Sequence, residues 1–317
     1  MVKIFLIVLI SVIGSLALLL LAASLYFFIF AFYRRKPNVN EGEGTIDSRF
    51  STEEALAIKE GIQHIDSLSF EQVYVKSFDG LTLAAKYYPV EQDTNKVMIL
   101  FHGYRASGRR DYSCAVKMYM DLGYNILLVD ERACGLSQGK LITFGAKERY
   151  DVISWIDFIL ERKGKDTKIC LGGLSMGAAV VMMASSLGLP ENVKCIVADC
   201  GYTSPAEIIS HVAKTRFHVP GGIAVAILNI FCVLLGRFSL YKPNTLKALR
   251  ENNIPILFIH GLADNFVPWD MTVRNYAVAK ARKRMCLVEG AGHGRAYLTD
   301  KKKVTKTLIE FISECEK

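Results

Sequence analysis

None of the eight cysteines in this 317-residue chain forms a C-x-x-C pair, so neither a zinc site nor a small disulfide scaffold is signalled. Cys170, Cys195 and Cys286 instead fall inside apolar runs, where a free thiol behaves as a small hydrophobe. Internal repeats and low-complexity tracts are also missing, which excludes solenoid and fibrous architectures. The 51% hydrophobic content excludes a disordered chain, and the even mixture with 22% charged residues argues against a polytopic transporter. The length fits one large α/β domain or two smaller ones.

Charge is absent from one long segment. From Ile4 to Tyr33 there are thirty residues without a charge, interrupted only by Ser11, Gly14, Ser15 and Ser24. About twenty apolar residues suffice for a helix to cross the hydrocarbon core. A signal peptide is the rival, with Ala22-Ala23-Ser24 as a passable cleavage site, but its apolar region is usually only about 7–15 residues long. The reading is therefore an uncleaved single-pass anchor over 1–36, followed by a linker over 37–50. Arg34, Arg35 and Lys36 follow the span, against Lys3 and the α-amino group before it, which places the remaining domain on the cytoplasmic side.

Beyond the linker, Ser51-Thr52 with Glu53 and Glu54 starts a helix that runs to about Asp66. Gln72–Ser77 and Leu81–Tyr88 flank Asp79-Gly80, a hairpin signal. Six compact apolar runs follow, each trailed by a helical pattern: Val97–Phe101, Asn125–Val129, Ile169–Gly172, Val193–Ala198, Ile254–Ile259 and Met285–Val288. Such runs predict a mostly parallel sheet with helices on both faces. Functional side chains in these sheets collect at the carboxyl ends of the strands.

At one such end stands Gly173-Leu174-Ser175-Met176-Gly177, a G-x-S-x-G between an apolar strand and a helix. A sharp strand-to-helix turn lifts the Ser175 hydroxyl above the sheet and aims the helix N-terminus at the same point, with the Met176 N–H placed to stabilise an oxyanion. A serine needs a base. Among six histidines, His293 lies in a glycine loop after the last strand, from which an imidazole can reach the turn. The base needs an acid, and Asp264 follows the penultimate strand, with Asp199 as runner-up. Gly103 lets the loop after Phe101 approach the serine, which makes the Tyr104 N–H the second candidate oxyanion donor. Asp130 and Glu131 read as structural, anchoring a loop with Arg132.

Together, His102-Gly103-Tyr104, the stretch Asp130-Glu131-Arg132-Ala133-Cys134-Gly135-Leu136-Ser137, the G-x-S-x-G, Gly261-Leu262-Ala263-Asp264 and Gly292-His293 resemble the α/β-hydrolase superfamily. The likeness covers about residues 70–317 and is nearest to membrane-anchored bacterial serine hydrolases of the aminopeptidase-like and lysophospholipase-like group. The chain order Ser175, Asp264, His293 is the order of that fold. Ala133 stands where the family usually has glycine, and Cys134 where a histidine is common. The resemblance implies an α/β-hydrolase fold and hydrolysis of an ester, thioester or amide through an acyl-enzyme, with no metal or organic cofactor.

Residues 201–250 form an insertion between two core parts, 51–200 and 251–317. Its run Ile223–Leu235, about thirteen residues at its core, is too short to span a bilayer. A span there would also separate Ser175 from Asp264 and His293. The expectation is a helical cap that roofs the site or dips into the membrane interface, suited to an apolar, lipid-like acyl substrate. An aminopeptidase would need a cap carboxylate for the substrate ammonium, for which Glu207 is the candidate. A binding protein that keeps the fold without catalysis is the rival from another class. The basic clusters Lys280–Arg284 and Lys301–Lys303 lack interleaved aromatics, so no nucleic-acid partner is expected.

Overall fold

A computed structural model describes residues 1–35, 50–92 and 94–317. The linker expected over 37–50 therefore lies almost wholly outside the described residues. The apolar N-terminal run is a single helix, α1 (Val2–Phe32), long and apolar enough to cross a membrane. Its N-terminal three-quarters is exposed, but Phe28 and Phe32 in its last turns are buried at 3% and 0% exposure. Helix α2 (Thr52–Ser67) opens on a capping box in which the Ser51 hydroxyl accepts from the Glu54 N–H and the Glu54 carboxylate accepts from the Ser51 N–H.

The hairpin of β1 (Glu71–Lys76) and β2 (Thr82–Tyr88) turns at Gly80, whose φ of 85° is free only to glycine. Strand β3 (Lys96–Phe101) leads through two short helices, α3 (Gly108–Asp111) and α4 (Val116–Asp121), to β4 (Asn125–Asp130). Helix α5 (Glu148–Lys163), β5 (Lys168–Leu174), α6 (Met176–Ala184) and β6 (Val193–Asp199) follow. The insertion holds α7 (Pro205–Arg216), α8 (Gly221–Leu234) and α9 (Thr245–Glu251). The chain closes with β7 (Ile256–Gly261), α10 (Trp269–Val278), β8 (Lys283–Val288), α11 (Ala296–Thr299) and α12 (Lys301–Glu316).

The eight strands make one sheet in the order β1-β2-β4-β3-β5-β6-β7-β8, antiparallel at β1/β2 and β2/β4 and parallel elsewhere. Both faces are covered, which is why the central strands read as continuous apolar runs. Along β3, Val97, Ile99 and Phe101 join the core under α5 and α6, while Met98 and Leu100 join the core under α4 and α12. Burying one such aliphatic side chain contributes about 1.5–3 kcal/mol.

Two strand starts differ from the sequence expectation by two residues. β7 begins at Ile256 rather than Ile254, because Asn252 folds its side chain onto both the N–H and the C=O of Ile254, and Pro255 has no N–H for the ladder. β8 begins two residues early, with Lys283 and Arg284 paired to Ile256 and Leu257. Charged residues are tolerated there because β8 is an edge strand. The basic clusters serve local structure: Lys283 donates to the Tyr276 and Ala279 carbonyls, and Arg284 pairs with Glu310 and Glu314.

Candidate active site

Ser175 sits between β5 and α6 with φ 55° and ψ −110°, a conformation that L-residues avoid. The turn is possible because its neighbours are glycines. A Cβ at Gly173 would sit inside the Gly177 carbonyl, and a Cβ at Gly177 would sit inside the Phe101 carbonyl. The Ser175 N–H is held by the Asp199 carbonyl at 2.8 Å, so the strained residue is tied to the adjacent strand.

His293 reaches the turn from the loop after β8. Its Nε2 lies 2.9 Å from Ser175 Oγ, and its Nδ1 lies 2.6 Å from Asp264 Oδ2. With the proton on Nδ1, Nε2 is free to accept the serine proton. The structure thus brings Ser175, Asp264 and His293 into one hydrogen-bonded line. Asp199, the alternative acid, makes no hydrogen bond to His293 among the described residues; its Oδ1 is buried without a partner. Burial pushes the Asp199 pKa up to about 6, against a lowering by His260 and His293.

Asp264 is held from several directions. Its Oδ1 accepts the N–H groups of Phe266 and Val267 at 2.8 and 2.9 Å, and its Oδ2 meets His260 Nε2 at 3.1 Å. His260 Nε2 also faces the Val267 carbonyl at 3.0 Å. Both partners are acceptors, so Nε2 carries the ring proton and Nδ1 accepts from the Thr272 hydroxyl at 2.7 Å. Burial alone would raise the Asp264 pKa, but the hydrogen bonds from His260, His293 and Val267 outweigh it and hold the carboxyl far below its usual range. In the sequence His260 reads as a capping or packing residue. Its position at the end of β7, four residues before Asp264, is the signal that would have found it.

The loop after β3 is fixed by a similar device. Asp111 accepts the Gly103 N–H at 2.7 Å, and the buried His102 bridges the Gly103 carbonyl and the Glu131 N–H. Gly103 is therefore already engaged, whereas the N–H groups of Tyr104 and Met176 have no protein acceptor among the described residues. Tyr104 is also held through its side chain. Its hydroxyl donates to the Ala31 carbonyl at 2.7 Å, and its ring stacks on Phe144 at 5.0 Å. Arg105, at φ 55°, donates to the carbonyls of Phe30 at 2.6 Å and Tyr33 at 3.0 Å. The C-terminal carbonyls of α1 are thus capped by the two residues after Gly103.

Asp130 anchors its loop by accepting the Leu136 N–H at 2.8 Å, but Arg132 forms its buried fork with Asp151 (2.7 and 2.5 Å) and a second contact with Asp79, not with Asp130 or Glu131. Both Glu131 carboxylate oxygens are buried without a partner among the described residues. Ala133 takes φ 62°, the backbone that the family's usual glycine would adopt without cost. Cys200 Sγ, an Asp264 oxygen and a His293 nitrogen lie within 4.8 Å of one another, a spacing open to a metal ion. Asp264 and His293 are already engaged with each other, however, and burial pushes the Cys200 thiol well above its ordinary pKa, away from the thiolate a metal needs.

Ser175 and His293 open onto a cavity of about 600 Å³. Its walls include Tyr104 and Arg105 from the β3 loop, Ile58 of α2, Phe266, Leu298 and, from the insertion, Arg216. Among the described residues no α8 side chain lines it, so the expected apolar roof is not there. α8 packs instead on α7 and on the end of α1, where Phe231 stacks on Phe28 at 5.7 Å. Glu207 is likewise absent from the cavity wall; it accepts from the Thr203 hydroxyl and pairs with Arg274 at 2.5 Å.

A strained serine at a β5–α6 turn, in an eight-stranded sheet of this order, defines the α/β-hydrolase fold. The family model described as alpha/beta hydrolase fold matches residues 96–224. The chain has the α/β-hydrolase fold. An esterase of Pyrococcus furiosus superposes with a TM-score of 0.61 at 23% identity, covering 78% of this chain and 92% of that one. Est1E of Butyrivibrio proteoclasticus, solved with ferulic acid, superposes with a TM-score of 0.58 at 18% identity over 76% and 99% of the two chains. By sequence, the chain is 24% identical to the uncharacterised protein YqkD of Bacillus subtilis over 71% of this chain and 74% of that one. It is 28% identical to human protein ABHD12B over 60% and 51%.

Proposed function

We propose that this protein is a membrane-anchored serine hydrolase that cleaves a carboxylic ester through an acyl-enzyme. The observation that carries the proposal is the line from Ser175 Oγ through His293 to Asp264, at 2.9 and 2.6 Å. Ser175 Oγ attacks the substrate carbonyl carbon as His293 Nε2 takes its proton, and Asp264 stabilises the imidazolium formed. The tetrahedral oxyanion rests on the N–H groups of Tyr104 and Met176, the latter at the positive end of α6. Collapse breaks the bond to the leaving group, which takes the proton from His293. Water then repeats the sequence on the acyl-serine and releases the acid. No metal or cofactor enters these steps.

An ester of an apolar acid is favoured over a peptide, because the cavity walls carry Ile58, Phe266 and Leu298. The aminopeptidase reading needs Glu207 at the site, and that carboxylate is neutralised by Arg274 away from the cavity. Retention of α1 as an anchor is supported by its length and apolarity, which exceed the usual apolar region of a signal peptide; cleavage at Ala22-Ala23-Ser24 would leave Phe28 and Phe32 in the domain core. The cytoplasmic placement of the domain rests on Arg34, Arg35 and Lys36 after the span.

A fluorophosphonate probe tests the nucleophile: the wild-type chain is labelled and Ser175→Ala is not. Hydrolysis of a short p-nitrophenyl ester is lost in His293→Ala, which leaves the serine without a base. Equal labelling of the two chains removes Ser175 as nucleophile, and unchanged hydrolysis by His293→Ala removes His293 as base.

A further inference from the structure

Helix α8 has two apolar faces and only one of them is covered. Val225, Leu228 and Cys232, spaced by three and four residues, are buried on the domain. Ile223, Ile227, Ile230 and Leu234, spaced by four, three and four, are exposed by 58, 37, 55 and 72%. That spacing puts them in one stripe along the helix. A stripe of this kind over a substrate site would be explained as an acyl lid, but no α8 side chain lines the cavity.

What lies beside the stripe is the end of α1. Phe28 stacks on Phe231, and Phe217, between α7 and α8, meets the rings of Phe27 and Phe30 edge-on at 5.3 and 6.2 Å. α8 therefore sits against the point where the apolar N-terminal helix enters the domain. The insertion is also basic: residues 201–250 contain Lys214, Arg216, Arg237, Lys242, Lys247 and Arg250 against Glu207 alone, and Glu207 is paired with Arg274. Arg216 precedes α8 and Arg237 follows it, both exposed. An apolar stripe bracketed by cations is the pattern of a helix lying in a membrane interface, where long basic side chains reach the headgroups.

We infer that α8 is a second membrane contact: its stripe Ile223-Ile227-Ile230-Leu234 is immersed in the acyl–headgroup boundary of the leaflet from which α1 emerges. The occupant of this face is lipid. α1 fixes the distance of the domain from the bilayer, and α8 fixes its rotation about α1. The inference rests on α1 being retained as a span. It does not rest on Ser175 chemistry, so it stands or falls separately from the esterase reading.

The test uses the full chain in phosphatidylcholine–phosphatidylglycerol vesicles. Ile227→Trp places a fluorophore in the stripe, and Tyr74→Trp, on the edge strand β1, is the aqueous comparison; the signal of Trp155 and Trp269 is subtracted with the parent chain. The expected result for Ile227→Trp is blue-shifted emission that is quenched by acyl-brominated lipids and protected from iodide, with the reverse for Tyr74→Trp. Emission from the introduced indole at position 227 that is quenched by iodide and not by brominated lipid overturns the inference, because the stripe is then in water. Emission protected from both quenchers also overturns it, because a protein surface, such as a second copy of this chain, then covers the stripe. Ile227→Asp guards against a local effect of the added indole: it should slow hydrolysis of a vesicle-borne long-chain ester and leave soluble-ester turnover and probe labelling unchanged. Where the parent chain hydrolyses the vesicle-borne ester, equal turnover by Ile227→Asp counts against the inference; absence of turnover in both chains counts against the esterase reading alone, and the quenching result then decides.

Discussion

Replacing Phe32 by alanine tests whether the last turn of α1 belongs to the hydrolase-fold domain or merely leads to it. Phe32 is fully buried, with its ring 5.3 Å from Phe28, 5.3 Å from Phe144 and 5.9 Å from Phe238. Its carbonyl accepts the Ile142 N–H at 2.8 Å, and the next residue bridges to Leu141. Truncating a phenylalanine in such a setting costs about 3–5 kcal/mol, the transfer free energy plus the cavity left behind. Unfolding entropy of about 2.1 cal/mol/K per residue, over a domain of roughly 270 residues, converts that to a fall in Tm of roughly 5–9 °C. Leu19→Ala, on the exposed part of the same helix, should leave Tm unchanged. The assay is thermal unfolding of the full chain in detergent, followed by near-ultraviolet circular dichroism. Ester turnover should fall as well, because Phe144, which Phe32 supports, is the ring on which Tyr104 stacks. A Tm for Phe32→Ala equal to that of Leu19→Ala would show that the domain does not hold the end of α1.

Two other outcomes follow from the charges around Ser175. Asp264→Asn should lower kcat by about 10³–10⁴-fold while the protein still folds, since the amide no longer selects the His293 tautomer that accepts the serine proton; an unchanged kcat would assign that task to another group. Asp199, whose pKa is pushed up to about 6 by burial, binds its proton more tightly folded than unfolded. The stability it contributes is thus full below pH about 4 and lost as pH rises through about 6, on the order of 3 kcal/mol in all. Asp199→Asn should therefore raise Tm at pH 8 and leave it unaltered at pH 4, and an equal change at both values would refute a buried unpaired charge.

The legible part of this protein is the part written in local pattern. Continuous apolar runs mark β3 to β7 because each is buried on both faces, and Asp79-Gly80 marks the hairpin because only glycine enters its turn freely. Ser175 stands out because the glycines at 173 and 177 are the only residues small enough for the backbone there. Asp264 and His293 can be picked out as residues that follow strands at one edge of the sheet, although their contact spans 29 positions. Boundaries are less legible: Asn252 and Pro255 delay β7 through a side-chain turn that hydrophobicity does not register.

Other features depend on which surfaces meet. His260, Asp111 and His102 are ordinary polar residues in the sequence; they become supports for Asp264 and Gly103 because the fold buries them beside groups that need a partner. The Tyr104 and Arg105 side chains find their acceptors on α1, more than seventy positions away. α8 illustrates the division most clearly. Its composition marks an apolar helix, but an apolar helix can roof a cavity, pack on a core or meet lipid with the same residues. Periodicity records which positions share a face, since that is set by 3.6 residues per turn. What each face touches is set by the path of the rest of the chain, and here that path turned α8 from Ser175 toward the end of α1.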